Sequence, residues 1–298
     1  VDAIPSTFEQ GDLAYLITSA NTVTVTGRAS NNSATEITIP NAVTSNGTTY
    51  SVTTIGVAAF AGNELTSVTI GNSVTTIGAY TFAQNELNSL TIGNNVTTIG
   101  DSAFYDNDLI SLTIPDSVTT IGAYTFAQNE LNSLTIGNNV TTIGYAAFYY
   151  NDLISLTLPD SVTTIGDYAF ESNNLTSVTI GNSVTTIGDQ AFAFNNTLTS
   201  LTIGSSVTTI GARAFYDNDL SSLTIGNSVE TIGNEAFWNN TSLTSLTISD
   251  SVTTVGDKAF GSNNSLTSVT FLGNFGAFNL NMFTGNSNLT TITYVQGK

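Results

Sequence analysis

The chain has 298 residues with 22 acidic and 4 basic side chains, no histidine and no cysteine, which gives a formal net charge of −18. The missing histidine and cysteine exclude disulfide bonds, serine and cysteine catalytic triads of the usual kind and ordinary zinc sites. The acidic charge argues against nucleic acid and anionic membranes as partners, and the sequence lacks the run of ~20 apolar residues that a membrane span needs.

The first fifty residues differ in pattern from the rest of the chain. Leu13–Thr18 and Thr22–Gly27 have the pattern of two strands around a short polar turn, which predicts a β-hairpin. Glu36–Pro40 has the composition of a further strand. Because a stack of repeats needs a cover over its first core layer, we predict a capping region over residues 1–50. It forms one domain with a repeat region over residues 51–298.

A 22–23-residue unit repeats through the remainder of the chain. In the unit that starts at Leu65, Leu65–Ile70 reads as a strand that buries Val68, and a second apolar pair follows at Val74 and Ile77. The third part carries Phe82. One unit has too few apolar side chains to offset the entropy of ordering it, so the units must stack on one another. The sequence therefore predicts a β-rich α/β solenoid of about eleven repeats.

Two positions in each unit predict the shape of its corner. Gly78 recurs in the following units, which indicates either a positive φ or a close approach of neighbouring backbone. The segment Ala79–Asn85 is too short for a stable helix, so we expect a single α-helical or 3₁₀ turn there.

Asparagine stands three residues after every core phenylalanine. A fixed offset of this kind predicts a buried ladder whose amides bond to backbone groups without strand partners. The main members of this structural ladder are Asn85, Asn107, Asn129, Asn151, Asn173, Asn195 and Asn218.

The skeleton Leu-x-x-Val/Leu-x-Ile-x-x-Ser-Val-x-x-Ile-Gly-x-x-Ala-Phe-x-x-Asn resembles the BspA-like class of leucine-rich repeats, over residues ~37–294 and eleven phenylalanine-centred copies. The resemblance implies a right-handed leucine-rich repeat solenoid in a bacterial cell-surface or secreted protein that serves adhesion, and it brings no catalytic residues. The family commonly has cysteine where this chain has its asparagine column. We therefore expect a non-enzymatic binding module, a monomeric part of a longer chain, for a protein or carbohydrate on a cell or matrix surface.

The first candidate binding surface is aromatic. Aromatic residues one or two positions after the core phenylalanines cannot all be buried. Exposed rings can stack on sugars or bind a protein. This ligand-binding set comprises Tyr105, Tyr149, Tyr150, Phe194, Tyr216 and Trp238. The alternative is that these rings only cover the neighbouring turn.

The second candidate is a pair of hydroxyl ladders on the face of the first strands, expected to be concave. The central members are Ser133, Thr135, Ser155, Thr157, Ser177 and Thr179. Serine and threonine also suit the solvent side of any strand, which favours a purely structural interpretation. Regular threonine arrays resemble ice-binding surfaces in pattern alone.

Acidic residues give a third set of candidates. Carboxylates at the turns, such as Asp116, Asp160 and Asp250, have the oxygen ligands that Ca²⁺ prefers, but no known calcium-loop spacing is present. We expect a solvated acidic surface and no cofactor. Besides adhesion, two functions stay open at this point: a structural spacer in a larger surface protein, and an ice-binding or Ca²⁺-stabilised adhesin segment.

Overall fold

The computed structural model describes residues 6–273 and 280–295, which form two compact units within residues 1–140 and 141–298. The first unit contains the N-terminal strands and the first repeats, and the second contains the remaining repeats. Each unit is built from stacked turns of the repeat. No observation tests whether cap and repeats form one domain, so that division stays a prediction.

The N-terminal region folds as a small β-structure beside the first turn. Its strands are β1 (Thr7–Gln10), β2 (Leu13–Ile17), β3 (Thr22–Arg28), β4 (Glu36–Ile39), β5 (Ala42–Ser45) and β6 (Thr48–Ile55). The hairpin expected from the sequence is β2–β3, which pairs antiparallel, and β1 adds a strand on its outer edge. Strand β3 then pairs parallel with β6, so the hairpin joins the repeat sheet directly. Tyr15, Val23 and Val25 are buried beneath it.

Each following turn contributes two short strands. In the first unit these are β7 (Ser67–Ile70), β8 (Thr76–Ile77), β9 (Ser89–Thr91), β10 (Thr98–Ile99), β11 (Ser111–Thr113), β12 (Thr120–Ile121) and β13 (Ser133–Thr135). The second strands β6, β8, β10 and β12 pair parallel in that order. The first strands form two separate sheets, β4-β7-β9 and β11-β13.

The second unit repeats this arrangement. Its strands are β14 (Thr142–Ile143), β15 (Ser155–Thr157), β16 (Thr164–Ile165), β17 (Ser177–Thr179), β18 (Thr186–Ile187), β19 (Ser200–Thr202), β20 (Thr209–Ile210), β21 (Ser222–Thr224), β22 (Thr231–Ile232), β23 (Ser245–Ile248), β24 (Thr254–Val255), β25 (Ser268–Leu272) and β26 (Thr291–Val295). Identical positions face each other across neighbouring turns, as Ile165 faces Ile187. The period of the sequence therefore sets the register.

The segment around the core phenylalanine differs from the helical turn that we expect from the sequence. Among the described residues, the one helical segment is the 3₁₀ turn Leu280–Phe283. Elsewhere two residues per turn are left-handed, as at Tyr80 and Gln84, both with φ of 56°. Their N–H groups and that of Phe82 donate to carbonyls of the next turn, at 2.8 to 3.0 Å. Bonds between turns therefore replace the bonds of a helix.

The recurring glycine is explained by close approach of backbone, the second of the two reasons that the sequence leaves open. A Cβ at Gly78 would lie 2.7 Å from the nitrogen of Val57 in the preceding turn. The positive φ of the corner falls two residues later, on Tyr80. Glycine is therefore required here for space.

Phenylalanine rings form the central stack of each unit. Neighbouring rings lie parallel, as Phe192 does 5.3 Å from both Phe170 and Phe215 between ring centroids. Leu, Val and Ile of the two strands surround the rings and are buried. A single core therefore runs through each unit.

Candidate functional site

The asparagine ladder lies inside the molecule and joins each turn to the one before it. Asn85 is 8% exposed, and its Oδ1 accepts from the backbone N–H groups of Asn63 and Leu65 at 2.9 and 3.0 Å. Its Nδ2 donates to the carbonyls of Phe60 and Phe82 at 2.9 and 3.0 Å. These backbone groups have no strand partner, so the amide satisfies a corner where the sheets end.

The same role recurs along the column. The buried members are Asn85, Asn107, Asn129, Asn151, Asn173, Asn195, Asn218, Asn240 and Asn263. Where a repeat has 23 residues, the extra residue follows the asparagine and forms a local turn, as Leu198 N–H donates to the Asn195 carbonyl at 2.8 Å. The ladder thus keeps the register between core turns in repeats of both lengths. Its side chains are buried and are not available to a ligand.

An aromatic strip lies outside this ladder, on the surface next to the core phenylalanines. In the first unit it includes Tyr105, which is half-buried and donates its hydroxyl hydrogen to Gln128 Oε1 at 2.9 Å. The ring of Tyr124 lies edge-on to it, with 6.4 Å between centroids. Tyr105 therefore packs along the neighbouring turn as well as facing solvent.

The second unit holds the larger part of the strip. Tyr149 is half-buried beside Tyr150, with 6.1 Å between ring centroids, and Tyr150 is 62% exposed. Phe194 is 37% exposed and lies edge-on to Tyr216 at 5.4 Å. The structure therefore brings these rings together in two pairs, and in each pair one ring is exposed.

Sequence reasoning missed a second column of rings in the strip. Tyr80, Tyr124 and Tyr168 stand two residues before a core phenylalanine, and Tyr145 stands three before. Tyr145 and Tyr168 lie in the second unit with ring centroids 5.1 Å apart. The signal was present, since three of these tyrosines recur at one offset, but that segment was expected to form a helical turn.

Two basic side chains already lie on rings of the strip. Arg213 lies over Tyr216 and Lys258 over Trp238, each 5.6 Å from the ring centroid. Arg213 Nε also donates to Glu235 Oε2 at 2.7 Å, and this bond to the carboxylate raises the pKa of Arg213. The strip therefore uses cation–π contacts within the chain itself.

Glu171 is a buried carboxyl group in the same part of the molecule. It takes the position after core Phe170 that Tyr149 takes in the preceding turn, and its residue is 8% exposed. Within the described residues, its Oε2 atom has no hydrogen-bond partner. Burial raises the pKa of Glu171 to about 7. A buried carboxyl group without a hydrogen-bond partner lowers the stability of the folded chain.

The hydroxyl ladders lie on the first strands, and their side chains are exposed. In the second unit Ser155 faces Ser177 and Thr157 faces Thr179. Ser133 and Thr135 belong to the first unit. The structure therefore places four of the six predicted hydroxyl groups side by side.

A shallow groove of about 370 Å³ opens on this face of the first unit, where β9 and β11 belong to different sheets. It is lined by hydroxyl groups above Leu90 and Leu112. A neutral ligand that forms hydrogen bonds would suit its lining.

Carboxylates do not gather into a metal site in the part of the chain that the structure describes: no three acidic groups there are placed to hold one ion. No helix within residues 6–273 and 280–295 is long and apolar enough to cross a membrane.

The fold defines a leucine-rich repeat solenoid, and comparison with known proteins identifies its family. The model of the BspA type leucine-rich repeat region matches residues 53–176 and 163–290. These stretches cover most of the sequence, so the chain belongs to the BspA-type leucine-rich repeat family. Solenoids of this class are typically binding or scaffold folds. A search of curated proteins gives no match.

Solved structures show the same fold. The pneumococcal vaccine antigen PcpA is 22% identical with a TM-score of 0.64, and the match covers 99% of this chain and 89% of that one. A leucine-rich cell surface protein of Faecalibacterium prausnitzii A2-165 is 24% identical with a TM-score of 0.51 and coverage of 100% and 97%. A leucine-rich repeat protein of Eubacterium ventriosum is 22% identical with a TM-score of 0.50 and coverage of 98% and 85%. At these identities the likeness shows the fold alone.

Proposed function

We propose that the chain is a non-enzymatic binding module of a bacterial surface protein, located outside the cell, and that it mediates adhesion to a protein or glycan through the aromatic strip. Family membership supports the surface location, and one similar structure is that of a cell surface protein. The exposed rings of Tyr150 and Phe194 carry the proposal, because exposed aromatic side chains supply much of the energy at binding hot spots.

The test is a binding screen of the chain against glycans, extracellular-matrix proteins and peptides. For each ligand found, a Tyr150→Ala, Phe194→Ala double variant is compared with a Thr157→Asp, Thr179→Asp double variant. Loss of binding in the aromatic variant alone supports the proposal. Loss in the threonine variant alone moves the site to the hydroxyl ladders, and a screen without any ligand favours a structural spacer.

A further inference from the structure

We propose that the aromatic strip around Glu171 binds a lysine or arginine side chain of a basic partner protein, an inference that rests on the binding function above. The rings concerned are Tyr149, Tyr150, Tyr168 and Phe194. Glu171 and the exposed rings would supply the two kinds of group that a desolvated cation needs, a carboxylate and aromatic faces.

The backbone holds these groups close together. Tyr150 N–H donates to the Glu171 carbonyl at 3.0 Å, and Glu171 N–H donates to the Tyr168 carbonyl at 3.1 Å. In the next turn the Ala193 carbonyl, directly before Phe194, accepts from Ser172 N–H at 3.0 Å. Glu171 therefore lies between turns that carry exposed rings on both sides. The small side chain of Ala193 stands where Trp238 and Tyr216 stand in later turns.

The later turns show what completes such a site. There the rings of Tyr216 and Trp238 each have a basic side chain of the same chain 5.6 Å from the centroid, and Arg213 also pairs with the carboxylate of Glu235. Among the described residues Glu171 has no ion pair with a basic side chain, in contrast to Glu235 with Arg213. Glu171 Oε2 is buried and has no hydrogen-bond partner among the described residues, so an ammonium or guanidinium that reaches this carboxyl group would supply the missing donor.

Charge favours the same class of partner. The chain carries 22 acidic and 4 basic residues, so its field attracts basic segments and repels acidic ones. General attraction would act on every exposed carboxylate equally. A specific site at Glu171 differs because one buried carboxyl group and its neighbouring rings would account for most of the binding.

The test uses the whole chain and a blocked peptide that contains several lysines, with a copy in which norleucine replaces each lysine. Binding is followed by NMR titration at moderate salt and at pH 8, above the pKa of about 7 of Glu171. Glu171→Gln and Tyr150→Ala are expected to weaken lysine-peptide binding about tenfold or more. Their controls, Glu130→Gln and Ile110→Ala at exposed positions of the first unit outside the aromatic strip, should bind within about twofold of the unchanged chain.

Three results would overturn the inference: equal affinity of Glu171→Gln and the unchanged chain, equal binding of the norleucine peptide, or an equal loss in Glu130→Gln, which would indicate general charge attraction. Circular dichroism of each variant confirms that it is folded. If the screen finds a partner whose binding is insensitive to Glu171→Gln, this inference fails and the proposed function stands. If the screen finds none, the proposed function fails whatever the peptide does.

Discussion

Replacing Asn129 by leucine tests how the ladder holds one turn to the next. Asn129 Oδ1 accepts from the backbone N–H of buried Leu109 at 3.2 Å, and its Nδ2 donates to the Phe104 carbonyl at 3.0 Å. The Phe104 carbonyl keeps a second donor, Asn107 Nδ2 at 3.2 Å, when Asn129 is lost. The variant therefore leaves the buried N–H group of Leu109 without its partner and also removes one donor, at 3.2 Å, from the Phe126 carbonyl. We expect a loss of about 1–3 kcal/mol in the free energy of unfolding.

Two measurements check this prediction. Chemical denaturation gives the change in stability, and native-state hydrogen exchange reports the Leu109 amide directly, which matters because long repeat arrays need not unfold in one step. Asn132→Leu is the matched control, since Asn132 is an exposed asparagine three residues further along the chain, and its effect should stay within about 0.5 kcal/mol. An unchanged denaturation midpoint together with full protection of the Leu109 amide in Asn129→Leu would refute the reasoning.

Three further predictions follow from the core, the buried carboxyl group and the left-handed backbone. Phe192→Ala should lower the free energy of unfolding by ~3–5 kcal/mol in chemical denaturation, and Phe283→Ala should lower it less. The reason is that the ring of Phe192 stacks on both sides with 5.3 Å between centroids, whereas the stack beside Phe283 is looser, at 6.0 Å. Equal losses would contradict the layered core. The pKa of Glu171 is raised from 4.5 to about 7, so the folded chain holds its proton longer than the unfolded chain and stability falls as pH rises between these values, by at most about 3 kcal/mol. Glu171→Gln should lack this fall in stability, as thermal unfolding at pH 5 and pH 8 would show. An unchanged pH dependence in the variant would refute the assignment of the effect to Glu171. Tyr150 has a φ of 55°, so Tyr150→Gly should be more stable than Tyr150→Ala by about 1 kcal/mol; the reverse order in denaturation would show that the position is not strained.

The features that repeat with burial could be predicted from the sequence. Phe82 and Asn85 recur at fixed offsets, and only a stack of equivalent turns lets each phenylalanine lie on the next and each amide reach the preceding backbone. The N-terminal hairpin was predictable for a local reason, because a short polar turn separates two strand-like segments, of which Thr22–Gly27 alternates in polarity.

The conformation between Gly78 and Asn85 could not be predicted in the same way. Local length and composition favour one helical turn, but the N–H groups of Tyr80, Phe82 and Gln84 find their acceptors in the next turn. These bonds join residues about twenty positions apart, so no local pattern reveals them. They also require left-handed backbone at tyrosine and glutamine, where the sequence shows none of the glycine that would signal it.

Glu171 was unpredictable for a related reason. A lone glutamate in an acidic sequence reads as a solvated surface charge, and its burial depends on the neighbouring turns. Phe170, the residue before it, fixes the place of Glu171 in the repeat. The repeat pattern alone does not predict that the position after the core phenylalanine is buried in this turn.

The left-handed positions also bear on why the aromatic strip exists. Glycine occupies the position two residues after the core phenylalanine at Gly62 and Gly285, with φ of 62° and 87°, so folding accepts a residue without a side chain there. Tyr150 and Phe194 adopt the same conformation at 55° and 58°, which costs a non-glycine residue roughly 1–2 kcal/mol. The side chain of Tyr150 is 62% exposed and that of Phe194 is 37% exposed. The same conformation recurs at this position on Gln84, Asp106 and Ser172, so the fold imposes it on every turn. What distinguishes Tyr150 and Phe194 is the exposed ring that they carry there.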